Sequence, residues 1–328
     1  MRKTNQPEMD LFDVSITKIL EKLVLQYNKD FRSEVFRAKK KYQQYVRNII
    51  SDKTGLTLTN KTFEVQDIGG NYNYEKKSQI KINIVDKIPD SLTEILEKHS
   101  KDIIELLFHY RKMKVVVKEM DYQLLNHTRF GQFHDNICNK KEIKKAKQFF
   151  LKLMAEVEKS GIIDDLRKTT PDYTGRYYPD TNTIEIYWLS IGLFGVLYEL
   201  PIEHFTLITL IHELAHGYTH KGFDIDGNLW DTENFKKADK HITEGLAQHY
   251  TYNICKNYFD FILPSFEEFY CDSSSEYIEY KKWFSSNDKD IFETTRRVLL
   301  NARTKNIKSY SIFLKELHRI KAENRKQF

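Results

Sequence analysis

Apolar residues recur at helical spacing near the start of the chain. Leu20, Leu23, Val24 and Tyr27 fall at i, i+3, i+4 and i+7, which predicts helix over roughly residues 14–51. Two strand-like runs follow, TFEVQDI (62–68) and QIKINIVD (79–86), separated by the turn-forming GGNYN (69–73). Residues 90–112 return to helical period, with Ser91 and Glu94 spaced as a capping box. The β-branched run KVVVKEM (114–120) predicts a further strand. Residues 126–142 show no clear period and mark the expected boundary between two regions. Their His127 and His134 read as ordinary loop histidines.

The second region opens with a helix expected over 140–161, stopped at Gly161. Pro179, Asp180, Thr181 and Asn182 carry turn chemistry. The run from Thr183 to Trp188 then alternates, placing Ile184, Ile186 and Trp188 on one face and Thr183, Glu185 and Tyr187 on the other. A helix follows from about Pro201 to Gly222, and another over residues 238–258. The chain from Phe261 onward is helical and rich in aromatics.

Composition narrows the class. The chain has 328 residues, 40% hydrophobic and 30% charged, an ordinary balance for a globular protein with an ample core. A formal charge of +5 is too mild to mark a nucleic-acid footprint. The most basic stretch, RAKKKYQQYVR (37–47), has its cations all round and reads as a solvated helix. No apolar run reaches the ~18 residues of a membrane span, so no membrane partner is expected. The opening MRKTNQPEMDLFD has no apolar leader core. Cys138, Cys255 and Cys271 are odd in number and far apart, which makes neither a disulfide framework nor a metal knuckle. The expected compartment is the reducing cytoplasm.

The helix from Pro201 presents a conflict. Phe205, Leu207, Ile208, Leu210, Ile211 and Leu214 cover most of its circumference, yet His212, Glu213 and His216 sit in its middle. Burying such groups unpaired costs several kcal/mol. Residues four apart project from one face, about 6 Å of rise and ~40° of rotation apart. That spacing lets His212 and His216 converge on one zinc ion, while Glu213, rotated by about 100°, leans over a water as general base.

A catalytic zinc takes three protein ligands and keeps an open position. His220 lies four residues past His216, and three histidines along one straight helix would span ~12 Å, too far for one ion. It reads instead as a C-terminal histidine that meets the helix dipole. The third ligand is expected to be Glu244, with Asp224, Asp231 and Glu233 in reserve. Gly245 and Ala247 are expected to let its helix approach the first closely. Gln248 is placed to accept from the second ring nitrogen of a ligand histidine. Tyr250, Tyr252, His249 and His241 are candidates for the oxyanion donor, Tyr250 and His249 first among them.

The segments HELAH (212–216) and TEGLAQ (243–248), with TIEIYW (183–188) upstream, resemble the gluzincin branch of the zinc metallopeptidases. FTLITLIHELAHGYTH (205–220) is similar to the ImmA/IrrE-like cytoplasmic peptidases. The downstream EAN-x-F-A type segment of that group reads EGLAQHY here. The resemblance covers about a fifth of the chain. It implies an α+β fold with a zincin-like domain over 140–328, in which a small twisted sheet lays its edge strand over the active-site helix, and a mainly helical remainder. Residues 1–125 form a helical or α+β region with no assigned role. The resemblance also implies that TIEIYW is the edge strand, so that Thr183, Ile184, Glu185, Ile186 and Tyr187 receive a protein or peptide substrate as an added strand. The expected function is peptide-bond hydrolysis with Zn2+ as cofactor. The alternatives are a zincin-like binding or sensor protein with little turnover, against which Glu213 counts, and a nucleic-acid-binding module.

Overall fold

The computed structural model describes residues 15–61, 75–77, 80–129, 137–168, 173–270, 275–284 and 290–326. Helices carry most of them, with a small mixed sheet, so the class is α+β. Two compact units are interleaved in sequence: residues 1–29 with 90–163, and residues 30–89 with 164–328.

The first unit contains α1 (Ile16–Tyr27). The single helix expected over 14–51 breaks here, and α2 (Phe31–Thr54) begins the second unit. That unit continues with β1 (Thr59–Lys61), β2 (Glu75–Lys77) and β3 (Lys81–Val85). The run TFEVQDI and its GGNYN turn lie outside the described residues.

The chain then returns to the first unit with α3 (Asp90–Glu97), α4 (Lys101–Arg129) and α5 (Ile137–Lys159). Ser91 lies inside α3 rather than capping it. A serine contact occurs instead at the start of α4, where Ser100 Oγ accepts from the Ile103 N–H at 3.4 Å. KVVVKEM is not a strand but part of α4. The buried stripe of Ile104, Leu107, Phe108, Met113 and Val117 runs through it at helical spacing, and this packing overrides local β propensity. A cut at residues 125–140 would part α4 from α5, which pack together. Tyr110 donates to Glu158, and Lys147 pairs with Asp121.

The second unit resumes through α6 (Ile162–Arg167), β4 (Gly175–Tyr178), β5 (Thr183–Tyr187) and α7 (Trp188–Tyr198). The strand order is β3-β5-β4, with β3 parallel and β4 antiparallel to β5. Ile184 is registered between Ile82 and Tyr177, and Ile186 between Ile84 and Gly175. Trp188 is not a strand residue: it opens α7, a mostly apolar helix buried from Trp188 to Leu197 that the alternating pattern of its neighbours had masked.

Next come α8 (Ile202–Lys221), α9 (Thr232–Lys237) and α10 (Lys240–Tyr258). The remaining helices are α11 (Leu263–Tyr270), α12 (Ser275–Ile278), α13 (Ile291–Thr304) and α14 (Tyr310–Lys326). The sheet, α2, α7 and α10 all pack on α8, which explains its apolar surface all round. The cations of RAKKKYQQYVR are partly consumed by this packing. Lys39 and Arg47 donate to the β3-region carbonyls of Ile82 and Ile80 at 2.8 and 2.7 Å, and Lys41 pairs with Glu203. Among the described residues no helix is long and apolar enough to cross a membrane.

Candidate metal centre

Asp239 starts α10, accepting from the His241 N–H at 3.0 Å, and so brings Glu244 to the second turn of a helix packed on α8. Three ligand atoms meet there. His212 Nε2 and His216 Nε2 are 3.1 Å apart, and Glu244 Oε2 lies 3.3 and 3.1 Å from them. Tetrahedral bonds of 2.0–2.1 Å would separate ligand atoms by about 3.3 Å, so this nearly equilateral triangle has the size a zinc ion requires. No other group of three His, Cys, Asp or Glu among the described residues converges in this way. Burial alone would raise the Glu244 carboxyl, but the facing imidazoles, His216 foremost, hold it well below the usual carboxylate range.

Glu213 is buried at 2% exposure and borders the same cavity, of about 360 Å³, as His216 and Glu244. Its side chain is covered by β4. A Cβ on Gly175 would stand 3.0 Å from Glu213 Cγ and 2.5 Å from Thr209 Cγ2, so only glycine lets the strand lie this close to α8. Thr209 donates to Thr174 at 2.8 Å and fastens the strand end to the helix.

Several expectations are corrected. TIEIYW is the central strand: β5 pairs with β3 on one side and β4 on the other, so the main chain of Thr183, Ile184, Glu185, Ile186 and Tyr187 has no free edge. The edge strand beside the cavity is β4, whose Arg176, Tyr177 and Tyr178 line it. His249 and Tyr250 do not face the metal group. They follow Glu244 by five and six residues, roughly 140° and 240° of rotation around α10. His249 bonds Thr295 Oγ1 at 2.9 Å, stacks on Trp283 and lines a separate cavity with Tyr252 and Tyr280. Burial lowers its pKa to about 3. Tyr250 is buried against Phe292 beside Arg296, and burial raises its hydroxyl. His241 pairs with Asp239.

Gln248 is fully buried, but neither end of its amide bonds a candidate ligand histidine. Gly245 makes room for Trp283, whose Cζ2 would be 2.7 Å from an added Cβ, rather than for α8. His220 is not a ligand. Its Nδ1 bonds the Tyr177 hydroxyl at 2.8 Å, its Nε2 bonds Thr232, and its ring stacks on Phe235. Burial lowers its pKa to about 3, so it is neutral and does not act as a cation at the helix dipole. The reserve acids are committed elsewhere: Asp224 to a turn, Asp231 to the cap of α9 and Glu233 to Lys236.

Two tyrosines that sequence reasoning missed approach the group. Tyr277 packs its ring 6.3 Å from that of His212. Tyr270 is held protonated by burial first and by the neighbouring Glu213 charge second. Neither carries a local motif, because chain folding well downstream of α10 brings them in.

Comparison of the chain with protein-family models, curated proteins and solved structures returned no match.

Proposed function

We propose that this chain is a zinc-dependent peptidase of zincin-like architecture. The carrying observation is the triangle of His212, His216 and Glu244 at 3.1–3.3 Å, with Glu213 on the same cavity. A zinc ion held by these three residues supplies a Lewis acid and an acidified water. Glu213 accepts the proton of the attacking water and returns it to the leaving amine. The β4 edge pairs with an extended peptide as an added strand and aligns the scissile bond with the base.

The test is hydrolysis of an internally quenched peptide library by zinc-loaded protein, with and without chelator, beside Glu213→Gln. Wild type cleaves in a chelator-sensitive way. Glu213→Gln keeps its zinc and loses at least a hundred-fold in rate. Zinc-loaded wild type that cleaves nothing refutes the peptidase reading and leaves a metal-holding binding protein.

A further inference from the structure

The walls of the metal-centre cavity carry three cations and three carboxylates, but not all of them are paired. Six charged residues besides His216 line it: Arg176, Lys236, Lys240, Asp180, Glu213 and Glu244. Glu244 is committed to the imidazoles and Glu213 to the base role, while Asp180 is paired with Lys236 at 3.1 Å. Two cations remain. Lys240 opens α10 exposed, one turn before Glu244 and on its face, and has no ion-pair partner among the described residues. Arg176 is exposed on the edge strand with its guanidinium over the Tyr178 ring. The carboxylate opposite it in register, Glu185, is already held by Lys87 at 2.8 Å. With a divalent ion held at the site, its charge would offset Glu213 and Glu244, leaving Lys240 and Arg176 as a positive surplus that concentrates anionic ligands. Tyr177, Tyr178, Pro179 and Phe235 are the bulky residues among the walls.

Resting on the peptidase reading, we infer that the substrate presents a carboxylate close to the scissile bond, bound by Lys240 and Arg176. The carboxylate belongs either to an acidic side chain or to a chain terminus, and the experiment separates the two. Matched quenched peptides carry Glu, Gln or Lys within three residues of the cleaved bond, each with a free or an amidated C-terminus. Wild type prefers Glu over Lys by about ten-fold at low salt, the scale of two exposed charge contacts, and the preference shrinks at 0.5 M salt. Selection confined to free termini assigns the carboxylate to the chain end; selection by internal Glu assigns it to a side chain. Lys240→Glu and Arg176→Glu each reverse or abolish the preference while the zinc content stays at one per chain.

A second readout needs no turnover: anisotropy binding of labelled, uncleaved peptides to Glu213→Gln ranks Glu above Lys by the same factor. Equal rates and equal binding for Glu, Gln and Lys peptides overturn the inference while leaving the peptidase standing. If nothing is cleaved, the peptidase reading fails and the binding ranking alone decides the charge selection.

Discussion

Gly175→Ala adds one methyl group where the edge strand crosses α8 at Glu213. That methyl would stand 2.5 Å from Thr209 Cγ2, 3.0 Å from Glu213 Cγ and 3.3 Å from the Glu185 carbonyl oxygen. The first distance is below any tolerable carbon contact, and the last is to backbone hydrogen-bonded within the sheet, so β4 must lift or α8 side chains must shift. Overpacking of this kind costs about 1–3 kcal/mol, which lowers Tm by roughly 3–10 °C in a unit of this size. The functional cost is larger than the stability cost. On the proposed mechanism, a displacement of the base by about 1 Å is worth on the order of a hundred-fold in rate, while none of the three atoms nearest the methyl belongs to His212, His216 or Glu244. Gly175→Ala is therefore expected to hold one zinc per chain, melt a few degrees lower and cleave about a hundred-fold more slowly. Thr209→Ser added to it removes the 2.5 Å contact and keeps the hydroxyl that bonds Thr174. The double variant should recover most of the lost Tm and little of the rate, because the Glu213 contact persists. Melting by calorimetry, metal analysis and peptide hydrolysis read the three quantities separately. A single variant with wild-type Tm and wild-type rate would refute the packing of β4 on Glu213.

Glu244→Ala is expected to weaken zinc binding by at least about ten-fold, whereas His220→Ala leaves the affinity near wild type and instead lowers stability through the lost Tyr177 and Thr232 bonds. A zinc titration of the two variants checks this, and the reverse ranking would displace Glu244 from the site. Acid should destabilise the chelator-treated fold through His220 and His249. Both pKa values are lowered to about 3 by burial, so the unfolded chain binds the extra protons. Their stability contribution is complete above the unfolded value of about 6.5 and is lost as pH falls below it, by about 1 kcal/mol each between pH 7.5 and 5.5. Urea unfolding across that range should show a shallower pH slope in His249→Gln, and an unchanged slope would contradict the neutral buried imidazole.

The pairing of His212 and His216, the core of the candidate metal centre, was legible in the sequence for a local reason. A helix converts a spacing of four into shared direction, so His212 and His216 could be paired without any knowledge of the fold. Glu244 was legible more weakly, from its place on a second helix at a distance that allows an antiparallel return. The alternating run at Thr183–Tyr187 correctly implied a strand, and the largely apolar circumference of α8 implied enclosure. Periodicity describes one element at a time and does not say which neighbours it meets. Strand order therefore came only from tertiary structure: β3, about a hundred residues upstream, pairs with β5 and turns the expected edge into the centre, passing the cavity to β4. The orientations of His249 and Tyr250 follow from the phase of α10 relative to α8, which is set by packing and not by composition. KVVVKEM became helix because the stripe from Ile104 to Val117 buries better than a strand would. The chain spells out what its local geometry can enforce within a turn or two. Which faces meet across long loops is decided by the burial they achieve together, and that put Gly175 over Glu213 and the Tyr277 ring near His212.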